Sequence, residues 1–110
     1  PGLDPLPVIL RGRAAWVEAR RGDRAKAIDR MAAVVADEPQ YVTGWRLLVQ
    51  WYSAAGRTRE ALDAADRLVQ LTPDDALSLA FRGEARQAVG DHRGARDDFD
   101  RAFDLDPAFA

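Results

Sequence analysis

Three copies of one segment constrain the architecture of this chain, because they recur at a fixed spacing of 34 residues. The copies span residues 22–39, 56–73 and 90–107. Each begins with glycine, carries alanine five places later and ends with proline. A constant period of this size indicates stacked copies of one supersecondary unit, because each unit is too small to bury its apolar face alone. The sequence therefore predicts a solenoid of repeated units.

The pattern within each unit is helical. Apolar residues recur at helical spacing on both sides of each glycine, which indicates one helix before the turn and another after it. The glycine ends the first helix, and Asp23 and Thr58 are the expected caps of the helices that follow. No segment alternates with period two for long enough to be a strand. The prediction is an all-α chain of three helix pairs, whose first helix has an apolar stripe of Leu6, Leu10, Ala14 and Val17.

Composition excludes several classes of function. The 110 residues are 47% hydrophobic and 31% charged, which is typical of one globular domain. No apolar run approaches the roughly 20 residues that span a bilayer, and a net charge of −2 argues against a strongly basic nucleic-acid binder. The absence of cysteine fits a reducing compartment, so we expect a cytoplasmic location. Abundant alanine, with Lys26 the only lysine among many arginines, favours a bacterial source.

Charge is distributed unevenly along the chain. Residues 1–36 carry seven basic and four acidic side chains, a formal +3, whereas residues 74–110 carry five and nine, a formal −4. Solenoids need polar capping repeats, yet apolar residues crowd the last helix and its end. We therefore hypothesise that the chain is a piece of a larger protein, or that a second copy covers its ends in a head-to-tail stack. The apolar residues concerned are Phe99, Phe103, Leu105 and Phe109.

The sequence offers no constellation for chemistry, so we expect no catalytic residue, cofactor or metal. His92 is the only histidine and falls in a predicted turn. Asp97 and Asp98 point about 100° apart on a helix and do not converge on a metal. With Asp100 they form the densest carboxylate cluster, and the expected partners of this cluster are Arg93, Arg96 and Arg101.

The second unit resembles the tetratricopeptide repeat, whose signature places hold Trp45, Leu48, Tyr52, Gly56, Ala61, Leu68 and Pro73. The resemblance extends over three consecutive repeats, at residues 8–41, 42–75 and 76–109, after a linker at 1–7. Two repeats depart from the pattern. The first has charged or small residues where large apolar ones are expected, and the third has Arg86 in the place of Tyr52. The departures in the first repeat are Arg11, Ala14 and Glu18.

This resemblance implies a right-handed superhelical solenoid of antiparallel helix pairs that binds a protein or peptide in a concave groove. The first helix of each pair would line that groove, and Trp45 and Tyr52 would belong to the core. The implied groove residues are Ile9, Arg13, Trp16, Arg20, Thr43, Arg46, Leu47, Gln50, Leu77, Phe81 and Glu84, with Gly12, Ala54, Ala80 and Gln87 at neighbouring groove positions.

Trp16 is the leading candidate for a binding anchor, since exposed tryptophans near arginines are frequent hot spots. The alternative is that Trp16 repairs packing in an atypical first helix. Arg13, Arg20 and Arg46 could receive a carboxylate, because the guanidinium is a rigid two-pronged donor; the alternative is a solvated surface. Relatives that grip acidic chaperone tails use a clamp of lysine, asparagine and arginine. The matching places here hold Gly12, Trp16, Leu47, Leu77 and Phe81, so we do not expect that ligand.

Three functions remain open from the sequence. The favoured one is a non-enzymatic module that holds a peptide or helix of a partner, with one or two acidic residues, in its groove. The second is a structural segment that stacks end to end. The third is a recruiting domain of a larger enzyme, which only neighbouring sequence could reveal.

Overall fold

The computed structural model describes the backbone of residues 5–109 and the side chains of residues 9–108. The described residues form six α-helices and one short 3-10 helix, with no strand among them, which confirms the predicted all-α helical-repeat solenoid. The expected linker 1–7 lies partly outside the described residues, and α1 includes residues 5–7. The helices are α1 (Pro5–Arg20), α2 (Arg24–Asp37), α3 (Val42–Ala54), α4 (Thr58–Leu71), α5 (Ala76–Ala88), α6 (His92–Leu105) and η1 (Pro107–Phe109).

The three repeat glycines each end a helix in the left-handed conformation. Gly22, Gly56 and Gly90 have φ values of 88°, 75° and 91°. A side chain would strain the backbone there, which explains why the repeat keeps glycine at this place. Asp23 caps α2 as predicted, since its carboxylate accepts a hydrogen bond from the Lys26 amide at 3.2 Å.

The prediction for the second turn was wrong. Thr58 is the first residue of α4, and Arg57 precedes it without a side-chain cap. Arg57 instead makes two hydrogen bonds to the Glu60 carboxylate, at 2.8 and 2.6 Å. This bidentate pair places a negative charge in the first turn of α4, where the helix dipole favours it.

The chain divides into two compact units, of which the first ends at Gly44. Helices α1 and α2 pack against each other in this unit. The contact face of α1 is small: Ala15 is fully buried, and a Cβ on Gly12 would lie 2.8 Å from the Tyr41 hydroxyl. The core on α2 consists of Ala27, Ile28, Met31, Val34 and Val35.

The apolar stripe predicted for α1 exists but is not covered. Leu10 is 56% exposed, Val17 is exposed as well, and Ala14 lies in solvent beside them. The reason is that the buried residues of α1, Gly12 under Tyr41 and Ala15, lie on a different side of the helix. The remaining stripe residue, Leu6, lies outside the described side chains.

The second compact unit begins at Trp45 and contains the rest of the chain. Helix α5 packs against both α4 and α6. The junction between α4 and α5 holds buried Val69, Leu79 and Ala80, and a hydrogen bond of 2.7 Å between the Thr72 and Ser78 hydroxyls. The predicted core residues Trp45 and Tyr52 are half-buried rather than enclosed.

Candidate functional site

The first candidate surface lies on α1. Ile9, Arg13, Trp16 and Arg20 follow one another at intervals of three or four residues, so they share a helix face. Trp16 is 45% exposed, and the guanidinium carbon of Arg20 lies 5.1 Å from the centre of its ring. This cation–π contact holds the indole in place while much of it faces solvent. The surface is thus an ordered aromatic side chain flanked by two cations.

The second candidate surface centres on Arg46 in α3. One terminal nitrogen of its guanidinium lies 4.0 Å from the carboxylate of Asp75, the residue that caps α5. Its Nε is buried and has no hydrogen-bond partner among the residues that the structure describes. A buried donor without a partner is unfavourable. The Arg46 side chain as a whole is 36% exposed, so part of it remains accessible to an incoming acceptor, whereas the buried Nε does not.

The other predicted groove residues all retain access to solvent. Thr43 and Gln50 are exposed on α3, and Glu84 is exposed on α5. Leu47, Leu77 and Phe81 are half-buried. The last three give α3 and α5 an apolar surface in addition to Arg46.

Two neighbouring groove assignments were wrong. Gly12 is buried, because Tyr41 packs directly on it. Ala80 is buried in the junction between α4 and α5. Small side chains at these positions serve close packing, whereas the equivalent Arg46 is long enough to reach solvent. Ala54 and Gln87 are exposed.

A buried ionic cluster joins α5 and α6, and sequence reasoning missed it. Asp98 is 2% exposed and accepts hydrogen bonds from Arg82 Nε at 2.9 Å, Arg82 Nη2 at 2.7 Å and Arg86 Nη1 at 3.0 Å. The bonds to Asp98 raise the pKa of Arg82, which burial opposes. We call Arg82, Arg86 and Asp98 the α5–α6 ion cluster. Its carboxylate is fully paired and is therefore structural.

The partners expected for Asp98 were wrong. Arg93, Arg96 and Arg101 are exposed on α6, whereas the true partners come from α5. The repeat register held the signal: Arg82 and Arg86 occupy the places of apolar Leu48 and Tyr52, so an acid was needed opposite them. Asp98 occupies the place of Ala64.

The described part of the chain shows no group of three side chains able to hold a metal ion. His92 is exposed at the first residue of α6, and Asp97 and Asp100 are exposed further along it. No helix within the described residues is both long and apolar enough to cross a membrane.

Comparison with known proteins agrees with the helical-repeat fold. A family model described as tetratricopeptide repeat matches residues 18–84, which is more than half of the chain. The chain therefore belongs to the tetratricopeptide repeat family, and family and fold support a protein-interaction module. No curated protein matches the sequence.

Solved structures share the fold at low sequence identity. The first tetratricopeptide domain of Spaghetti (RPAP3), bound to the HSP90 peptide SRMEEVD, superimposes with a TM-score of 0.85 at 19% identity, covering 96% of this chain and 83% of that one. MamA gives 0.83 at 17%, covering 93% and 60%. MamA from Desulfovibrio magneticus RS-1 gives 0.81 at 21%, covering 94% and 57%. The chain thus spans less than two thirds of either MamA structure.

Proposed function

We propose that this chain is a non-enzymatic protein-interaction module that binds a segment of a partner on the faces of its first helices. The observation that carries the proposal is the half-exposed Trp16, held by Arg20. An ordered aromatic ring presents a large contact area and loses little conformational entropy on binding, which is why tryptophan and arginine are enriched among binding hot spots.

The second contact in the proposal is the α3 and α5 surface around Arg46. Leu47, Leu77 and Phe81 offer apolar area, and the guanidinium of the partly exposed Arg46 offers a charge-assisted hydrogen bond to a carboxylate. A partner segment with an apolar side chain and one or two acidic residues fits this chemistry. The α1 and α3–α5 surfaces lie in separate compact units, so we treat them as two contacts that are tested separately.

Acidic tails of chaperones are not the ligand in this proposal. The Spaghetti (RPAP3) structure holds an HSP90 peptide, but at 19% identity the likeness extends to the fold alone. In this chain the expected clamp places hold Gly12, Trp16, Leu47, Leu77 and Phe81. We expect binding to depend on an apolar anchor rather than on a terminal carboxylate. The cysteine-free, arginine-rich composition supports a bacterial cytoplasm as the setting.

The test is an array of short synthetic peptides that combine aromatic or aliphatic anchors with acidic residues, followed by titration of the strongest binder. Trp16→Ala and Arg46→Ala should each weaken binding at least about tenfold, because each removes a central contact. Arg59→Ala, an exposed arginine on α4, is the matched control and should bind as the wild type does. Binding that survives both groove substitutions would refute the proposal.

A second candidate function is a structural segment that assembles end to end. The exposure of Phe103 and Leu105 on α6 favours it. Phe103→Asp separates the two candidates, because it should disrupt assembly and leave peptide binding unchanged.

A further inference from the structure

Arg46 and Asp75 occupy two repeat positions that are also in contact in the first repeat. The equivalent residues there, 34 places earlier, are Gly12 and Tyr41. The tyrosine packs directly on the glycine, and a Cβ on Gly12 would lie 2.8 Å from the tyrosine hydroxyl. The first repeat therefore closes these positions with an aromatic contact, whereas the second repeat places two opposite charges there.

The contact between Arg46 and Asp75 is loose. The closest nitrogen and oxygen are 4.0 Å apart, which is too long for a hydrogen bond, and both side chains are partly exposed. Such a pair contributes little to stability, because water screens it. Replacing Asp75 with another carboxylate at the accessible end of Arg46 therefore costs little free energy.

Asp75 is itself held in place, because it caps α5. Its Oδ1 accepts a hydrogen bond from the Leu77 amide at 3.0 Å, and its Oδ2 is the oxygen nearest to Arg46. The cap thus fixes a negative charge next to Arg46. That charge attracts the guanidinium and repels a carboxylate that approaches it.

We propose that Asp75 competes with the partner's carboxylate for Arg46 and so limits the affinity of the α3–α5 surface for acidic segments. In the free chain Asp75 faces Arg46, and a bound segment puts its own aspartate or glutamate there. A segment without a carboxylate leaves the Arg46–Asp75 pair in place and gains only apolar contact with this surface. The inference rests on the proposed function and adds the residue that restrains it.

Titration of a labelled peptide tests this competition. The probe is an array peptide with an apolar anchor and a single glutamate, and its twin has glutamine instead. Asp75→Asn removes the charge and keeps a residue that caps helices equally well; circular dichroism checks the fold. We expect the glutamate peptide to bind this variant about two- to five-fold more tightly, the range that exposed ion pairs span. The glutamine twin should bind it as it binds the wild type.

A double variant separates competition for Arg46 from plain repulsion of the peptide. In the Arg46→Ala background, Asp75→Asn should no longer tighten binding of the glutamate peptide, because the contested cation is gone. Asp63→Asn is the matched control, since it removes one negative charge from an exposed position on α4 and should bind as the wild type does.

The outcomes distinguish this inference from the function on which it rests. If Arg46→Ala weakens binding but Asp75→Asn does not tighten it, the competition is refuted and the proposed function stands. A gain that persists in the Arg46→Ala background would likewise refute it, because repulsion alone would then explain the gain. If no glutamate peptide loses affinity on Arg46→Ala, the competition is again refuted, and the proposed function falls with it only if Trp16→Ala is also without effect.

Discussion

The first and third helix pairs each have an ion pair at equivalent positions, but they bury it to different extents. At equivalent positions the first pair holds Glu18 and Arg30, whereas the third pair holds Arg86 and Asp98, with the charges exchanged. Glu18 is 21% exposed and lies 3.5 Å from Arg30 without a hydrogen bond. Asp98 is 2% exposed and accepts three hydrogen bonds.

The position in the repeat thus determines which two side chains meet, and burial determines how much their contact contributes to stability. A partly exposed ion pair contributes little, because water screens it. A buried one cannot lose a partner without leaving an uncompensated charge. The second pair, with Tyr52 and Ala64 at these positions, shows the uncharged arrangement.

The largest expected effect is the loss of Asp98. Asp98→Ala should lower the free energy of unfolding by about 3–5 kcal/mol, because Arg82 and Arg86 would keep their charges without the buried acceptor. Glu18→Ala, which removes the carboxylate of the equivalent ion pair in the first helix pair, should lower the free energy of unfolding by less than about 1 kcal/mol. Urea denaturation measures both, and equal losses would break the comparison.

The next largest loss of stability is expected from a substitution at Gly83. A Cβ at this position would lie 2.8 Å from one ring atom of Phe99 and 3.0 Å from two others. Gly83→Ala should therefore destabilise the third pair by roughly 1–3 kcal/mol through overpacking. Phe99→Leu in that background should recover part of the loss in the same denaturation assay, and failure to do so would show that the ring is not the obstacle. The first pair already holds buried Ala15 at this position.

The turn glycines should respond alike in both pairs. Gly22→Ala and Gly90→Ala place a side chain at φ of 88° and 91°, with no other atom within 4 Å of the new Cβ. The cost is then conformational, about 1–2 kcal/mol for each variant. Thermal unfolding that separates the two variants clearly would show that the turns are not equivalent.

The smallest expected effect is the pH dependence of the Arg57–Glu60 ion pair in the second repeat. Hydrogen bonds from Arg57 lower the pKa of Glu60 below its ordinary value of 4.5. Stability from this pair is thus present above pH 4.5 and is lost as pH falls through the lower folded-state pKa. Glu60→Gln should be slightly less stable than the wild type at pH 7, and the difference should shrink toward pH 3 on denaturation at both values. A difference that persists unchanged at low pH would exclude the carboxylate as its cause.

The helices and turns could be predicted from the sequence because the glycines and prolines recur at one period. Contacts that depend on which side of a helix packs could not be predicted. The stripe of Leu10, Ala14 and Val17 looks like a core face, yet α1 packs through Gly12 and Ala15. Periodicity cannot tell an apolar face covered by a neighbour from one that is not.

The candidate binding residues were only partly predictable. The repeat register indicated an exposed Trp16, but the stacking of Arg20 and the unpaired Nε of Arg46 depend on rotamers. The ion cluster was missed because partners for Asp98 were sought among the arginines of α6, whereas its partners Arg82 and Arg86 lie on α5. Comparison of Arg82 with Leu48 in the register would have revealed it.

The most direct test of positional equivalence compares Val69→Asp with Phe103→Asp in unfolding measurements on dilute protein. Both place a carboxylate at the same repeat position, one under α5 and one on the uncovered α6. We expect Val69→Asp to lose roughly 3 kcal/mol or more, because it buries an unpaired charge. Phe103→Asp should stay within about 0.5 kcal/mol of the wild type. Equal losses in the two variants would contradict the claim that these positions are equivalent and differ only in burial.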